Sequence, residues 1–176
     1  MTACANTPPI NIKHKGEYIG KERIRLAKRF NVPMASGNPD PFPQLTLSTM
    51  RALVAVQQLY GEAEMTACMA ACYEAFWVRL EAVSKPEVFV PVIQAVLGEE
   101  RTKRVVERMA TPECKKQLIA NVDAALAEGA FGAPWFVAES RQGIKECFWG
   151  VDSLGAVAEH LGLERKGAEE GFRSML

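Results

Sequence analysis

Apolar positions recur every three or four residues through the middle of the chain, then give way to two short apolar blocks near its end. Leu47, Met50 and Val54 carry a helical period through Tyr60, and Met65, Met69, Cys72, Phe76 and Leu80 form a second stripe through Val83; both predict long helices. Gly61 alone separates them, so an αα-hairpin is expected. Lys85-Pro86 opens a third helix with proline in its first turn, running to Leu97 and closed by Gly98, and Pro91 inside it predicts a kink or an early end. Glu99 to Met109 reads as a fourth. A fifth starts at Thr111 as N-cap with Pro112 just inside, and Leu118, Val122 and Ala125 form its expected buried stripe as far as Glu128.

The flanks read differently. Ala5 to Gly20, ANTPPINIKHKGEYIG, is dense in Pro, Gly, Asn and Lys without a sustained period, and predicts loop. Lys21 to Asn31 places Ile24, Ala27 and Phe30 three apart among basic residues, a short amphipathic helix. Prolines at 39, 41 and 43 then forbid helix and disfavour a central strand, so the chain must cross a surface there. Beyond Glu128, Trp135 to Ala138 and Glu146 to Trp149 predict an antiparallel hairpin. Gly150 ends the second strand, and Asp152 can cap a helix bearing Leu154, Val157, Ala158 and Leu161. The expected organisation is a loop over 1–20, a helical block over 21–128, a β-β-α unit over 129–165 and a polar tail over 166–176.

Composition changes this picture little. With 176 residues, 48% hydrophobic and 24% charged, the chain can build one ordinary core. Twenty-one Lys plus Arg against twenty-one Asp plus Glu give no excess positive field, which argues against nucleic acid or anionic lipid as partner. No apolar run reaches the roughly 20 residues that span a bilayer, and Met1 to Ile10 lacks a signal-peptide core, so a soluble protein without a membrane partner is expected. The five cysteines, Cys4, Cys68, Cys72, Cys114 and Cys147, contain no CxxC pair, and His14 and His160 are isolated in sequence, so no metal site is expected. Cys68 and Cys72 share one helix face, where buried core thiols are the commoner outcome.

The order of elements, together with particular motifs, carries a resemblance. Through ANTPP (Ala5 to Pro9), KGEY (Lys15 to Tyr18), FPQLTLSTMRAL (Phe42 to Leu53), TPECKKQL (Thr111 to Leu118), EGAFGAPWFVA (Glu128 to Ala138) and FWGVDSL (Phe148 to Leu154), the chain resembles kappa-class glutathione transferases and 2-hydroxychromene-2-carboxylate isomerases. The resemblance runs from Asn6 to about Leu163, and its specific part is EGAFGAPWFVA followed by FWGVD. It implies an α/β thioredoxin-like fold of the DsbA type with a large helical insertion, and glutathione as cofactor or co-substrate. It further implies a small electrophile as second substrate and a homodimer. Relatives begin with a β-α-β unit of about 30 residues or more, whose first turn presents a serine to the glutathione sulfur. Met1 precedes Asn6 by only five residues, so that catalytic serine is expected to be missing; none of Ser36, Ser48, Ser84, Ser140, Ser153 or Ser174 matches its position.

Glutathione is an extended peptide with two carboxylates, an amino group and a thiol, so its site needs a strand-like backbone edge, an anion partner and a carboxylate for the amine. Ala133-Pro134 is the candidate edge. Pro134 either begins a strand or is the cis proline of thioredoxin-like folds, and the resemblance implies cis. Asp152 is the candidate carboxylate, its alternative being an ordinary N-cap, with Val151 offering its backbone N–H. The resemblance also implies Asn6 and Lys15 beside the glutathione, Lys15 as a point charge for the glycyl carboxylate. Val151 and Ser153 depart from relatives that carry a small or polar residue and an arginine there. Trp135 and Phe136 read as hairpin core.

Two functions follow as expectations: a glutathione-dependent transferase or isomerase acting on small electrophiles, or a catalytically inactive form acting as a binding or dimer partner. Disulfide exchange would need a CxxC turn that this sequence lacks. Ser174-Met175-Leu176 resembles a weakened Ser-Lys-Leu peroxisomal address, and relatives of the kappa class are peroxisomal or mitochondrial; the cytoplasm is the alternative. Glu164 to Leu176 fused to a fluorescent protein is expected to give a punctate peroxisomal signal, and a diffuse cytosolic one would refute the address.

Overall fold

The computed structural model describes residues 7–163. Asn6 and the tail from Glu164 through Ser174-Met175-Leu176 lie outside the described residues. Among those described, the chain forms seven α-helices and one two-stranded sheet: α1 (Lys15–Arg29), α2 (Leu47–Tyr60), α3 (Glu62–Trp77), α4 (Pro86–Leu97), α5 (Glu99–Ala110), α6 (Pro112–Ala127), β1 (Trp135–Glu139), β2 (Lys145–Trp149) and α7 (Leu154–His160). Two compact units divide it. One comprises Ile24–Asn121, the other Met1–Arg23 with Val122–Leu176.

The helical unit is organised around α2. Ala52, Leu53, Val54, Ala55 and Val56 are all buried, a run without a solvent face, which marks a helix surrounded by others. Cys68 and Cys72 of α3 pack on it, as do Phe89, Ile93 and Leu97 of α4, Val105 of α5 and Cys114 of α6. The four-residue spacing of Phe89, Ile93 and Leu97 places them on one stripe. One-residue links, Gly61 and Gly98, keep consecutive helices adjacent; their N–H groups donate to Gln57 O at 3.0 Å and Gln94 O at 2.8 Å. Thr49 Oγ1 donates to Val83 O at 2.5 Å, and Thr111 caps α6 by accepting from Cys114 N at 3.3 Å. An orphaned carbonyl at Val83 would cost on the order of 1–3 kcal/mol.

Several expectations are corrected. The segment 1–20 is not loop throughout: Pro9–Asn11 forms a 3-10 turn and α1 begins at Lys15, not Lys21. Gly16 and Gly20 each cost a helix about 1 kcal/mol, but the Glu17–Lys21 pair at 2.9 Å spans one turn and Glu17 sits in the first turn, where a carboxylate suits the helix dipole. Helix α3 ends at Trp77 instead of Val83, because Leu80 adopts a left-handed φ of 58° and cannot continue it. Helix α4 runs through Pro91 to Leu97 without ending early. The expected stripe of α6 is wrong: Val122 is 52% exposed and Ala125 is exposed, while Cys114 is buried and Leu118 packs beside it. Asp152 does not cap a helix; it lies inside a 3-10 turn, Val151–Ser153, ahead of α7.

Cys68, Cys72 and Cys114 are core residues, whereas Cys147 is exposed. Burial pushes the Cys72 thiol up to about 11, with proximity to Cys68 adding to it, and burial likewise raises Cys68 and Cys114. A group that stays protonated in the folded state while its unfolded counterpart ionises loses stability as pH rises through that interval. Between about pH 9 and pH 11, folding stability is expected to fall by about 2–3 kcal/mol on account of Cys72. Urea denaturation at pH 8 and pH 10.5 checks this: Cys72→Ala should flatten the decline, and equal slopes in both proteins would disprove it.

Candidate functional site

The second unit is built on one hairpin. Trp135 opposes Trp149, Phe136 opposes Phe148, Val137 opposes Cys147, Ala138 opposes Glu146 and Glu139 opposes Lys145. Gly150 N donates to Pro134 O at 3.1 Å beyond one end, and Ser140 N donates to Ile144 O at 2.8 Å beyond the other. Antiparallel pairs alternate between hydrogen-bonded and open, so these two bonds settle the phase. Phe136 and Ala138 turn their N–H and C=O toward β2, and Trp135, Val137 and Glu139 turn theirs outward to the free edge of β1.

The two faces of the hairpin are furnished differently. On one, Ala138 is buried and the Phe148 ring meets His160 of α7 with centroids 5.7 Å apart. His160 Nε2 lies 2.9 Å from Ile144 O, and its Nδ1 is 3.8 Å from Glu146. His160, isolated in sequence, thus ties α7 to the turn of the hairpin. On the other face Phe131 stacks edge-on to Trp135 at 5.2 Å and against Trp149 at 5.1 Å. Lys145 pairs with Glu128, whose carboxylate raises the lysine's pKa. Trp135 and Phe136 are half-buried and Trp149 is 51% exposed, so the aromatic cluster is a partly open wall and not a sealed core.

The register brings most of the candidate residues to one end of this hairpin. The Ala133–Pro134 peptide is cis, Ala133 has no backbone hydrogen bond to another described residue, and the Gly150–Pro134 bond sets the Val151–Ser153 turn directly beside it. Asp152 is exposed, and its carboxylate has no hydrogen bond or ion pair among the described residues. An N-cap aspartate would spend an oxygen on a backbone N–H; this turn shows no side-chain cap bond. Lys15 opens α1 in the same unit, exposed, with no ion pair among the described residues. No hydrogen bond joins it to Asp152 or to the Ala133–Pro134 edge. Asn6 lies outside the described residues, and no group of three or more metal-ligating side chains occurs among those described.

Sequence reasoning missed Gly150. It ends the second strand, but it is also the residue that lets the Asp152 carboxylate fold back: its φ is 90°, and a Cβ there would collide with Asp152 Oδ1. Only glycine adopts that backbone without strain. The G-x-D spacing in FWGVDSL was the available signal.

A family model for the DSBA-like thioredoxin domain matches residues 1–162. Glutathione S-transferase kappa 1 of Homo sapiens is 28% identical over 168 residues, 92% of this chain and 73% of that protein. The protein of the same name in Caenorhabditis elegans is 25% identical over 167 residues, 92% of this chain and 72% of its own length. That of Rattus norvegicus is 28% identical over 168 residues, 92% and 73%.

These contacts separate a residue held for the fold from one that is not. Gly150→Ala should destabilise the chain by about 1 kcal/mol or more, through the strained positive φ, since the exposed Asp152 carboxylate can turn away from the added methyl. Asp152→Ala should change stability by less than about 0.5 kcal/mol, since the side chain is exposed and unpartnered. Denaturant unfolding of both variants checks this, and a large loss in Asp152→Ala would mean that its carboxylate has a structural role.

Proposed function

Since the chain belongs to the DSBA-like thioredoxin domain family, with its fold, we propose that it binds glutathione at the Pro134 end of the hairpin and serves a glutathione-dependent transfer or isomerisation of small electrophiles. The observation that carries this reading is the juxtaposition of an open backbone edge at Ala133–Pro134 with a free carboxylate at Asp152, fastened together by the Gly150–Pro134 hydrogen bond. Similarity to proteins named glutathione S-transferase kappa supports the choice of ligand.

Each group answers one part of the peptide. The free edge, continued by the outward N–H and C=O of Trp135, pairs with extended backbone. Asp152 takes the γ-glutamyl ammonium, and the Val151 N–H takes the adjoining carboxylate. Lys15 serves the glycyl carboxylate as a mobile point charge, with Asn6 beside the peptide. The chemistry supplied by glutathione is nucleophilic: its thiolate forms a carbon–sulfur bond to an electrophilic carbon, which then expels a leaving group in transfer or is eliminated again in isomerisation. The Phe131, Trp135 and Trp149 rings give an apolar electrophile a surface to lie on. A homodimer, which rests on the resemblance, and a peroxisomal or mitochondrial location, which rests on the resemblance and on Ser174-Met175-Leu176, belong to the same proposal, with the cytoplasm as the alternative location. The alternative, a non-catalytic binding or dimer partner, shares the glutathione contacts and differs in turnover.

Calorimetric titration with reduced glutathione tests the site. Asp152→Ala should weaken binding by at least about thirtyfold, since truncating one member of a desolvated charge pair costs about 2–5 kcal/mol. Lys15→Ala should cost only a few-fold, because an exposed ion pair is screened and weak. Unchanged affinity in Asp152→Ala would refute the assignment, and a larger loss in Lys15→Ala would reverse the ranking of the anchors. Binding without turnover of an electrophile such as 1-chloro-2,4-dinitrobenzene would favour the non-catalytic alternative.

A further inference from the structure

The helical unit contains a cavity of about 360 Å³ lined from α2, α4, α5 and α6. Phe89 and Val90 of α4 and Val106 and Met109 of α5 make apolar walls, and Arg51 of α2 and Lys115 of α6 are its charged lining residues; no acidic residue lines it. The Arg51 Nε is buried and has no hydrogen-bond partner. Neither Arg51 nor Lys115 forms a side-chain ion pair among the described residues, although this chain pairs other cations freely: Arg79 with Glu74 and Glu81, Arg101 with Glu64, Lys103 with Glu99 and Glu100. A buried guanidinium donor without an acceptor is an uncommon state, and the same arginine is one of the residues that line this cavity.

A second depression shares Val90 and Val106 with the first and continues between α4 and α5 to Gln94 and Thr102, bordered by Glu107 and by Lys103, which pairs with Glu99. The polarity of the combined groove is therefore directional. Two unpaired cations stand at the α2–α6 end, apolar walls occupy the middle, and a lysine already paired with carboxylates stands at the far end. An anionic head group is attracted to the first end, where neither cation has a carboxylate partner among the described residues.

We propose that this cavity binds a monocarboxylate with an apolar tail of medium length, a site separate from the hairpin. The carboxylate accepts from the Arg51 guanidinium, whose planar fork suits a carboxylate. Lys115 is the second, more exposed cation. The tail lies along Phe89, Val90, Val106 and Met109. At roughly 30 Å³ per water-sized group, the cavity holds about a dozen non-hydrogen atoms, the size of decanoate. A pocket between packed helices with apolar walls and few polar groups to fix orientation has the general form of a small-ligand site.

Calorimetry on the full chain, with decanoate, 1-decanol and acetate below their aggregation limits, tests the site. Decanoate should bind saturably at one site per chain, decanol at least tenfold more weakly, and acetate without measurable heat. Arg51→Gln should weaken decanoate at least tenfold while leaving decanol within twofold. Circular dichroism establishes whether that variant folds; should it not, Lys115→Gln on the exposed side of α6 takes its place, with at least a threefold loss for decanoate expected. Equal affinity for decanoate and decanol, absence of saturable binding, or an unchanged decanoate affinity in the folded charge variant would each overturn the proposal.

Discussion

The register between β1 and β2 is the constraint from which the candidate site follows. Pro134 has no N–H to give, so its pairing with Gly150 rests on a single bond from the Gly150 N–H to the Pro134 carbonyl at 3.1 Å. That bond decides the phase of the ladder, and the phase decides which backbone groups of β1 are turned outward. A slip of β1 by one residue would exchange its two faces, sending Ala138 toward solvent and parting Trp135 from Phe131 and Trp149. It would also separate the Val151–Ser153 turn from the Ala133–Pro134 edge. The position of Asp152 is therefore a property of the hairpin more than of the turn that carries it.

A two-stranded sheet is marginal by itself in water, and here contacts from both flanks reinforce it. His160 reaches from α7 to the Ile144 carbonyl and the Phe148 ring, while Glu128 holds Lys145 from the end of α6 and Phe131 covers both indoles. The remaining edge of β1 is unlike this: between Pro134 and Ala138 it is apolar and uncharged, the character of an edge that accepts a further strand or an extended peptide. The helical unit has no such dependence, since α2 is enclosed and its neighbours bury their stripes against it.

What could be read from the sequence divides along physical lines. The helices of the middle and the hairpin were legible because each rests on local periodicity and punctuation: Gly61 and Gly98 between helices, Thr111 at an N-cap, Pro134 and Gly150 bounding the strands. The start of α1 was not, because two glycines suggested loop while the compensating Glu17–Lys21 pair is visible only once a helix is assumed. The end of α3 was hidden for the opposite reason; Leu80 continues the apolar period but takes a left-handed backbone, so periodicity overran the helix. For the candidate site, Asp152 and Pro134 were found by pattern, whereas the role of Gly150 was not. A positive φ and a side chain folded back over the backbone leave no periodic trace.

Charge shows the same division between what composition reveals and what placement decides. Lysines and arginines equal aspartates and glutamates in number, and a neutral total says only that no long-range field is available. In the fold many of these charges are matched at the surface, where each pair adds little stability but is quieted toward a ligand. The charges that can select a ligand are those left without a protein partner. Asp152 and Lys15 in one unit and Arg51 and Lys115 in the other have none among the described residues. Their surroundings then set what each can hold: an open strand edge beside Asp152 suits an extended peptide with an ammonium group, and apolar walls beside an arginine without a counter-ion suit a carboxylate on a hydrocarbon. The same balanced composition is thus compatible with the two chemically distinct sites proposed, because neighbouring structure, and not net charge, determines which counter-ion each unpaired group can accept.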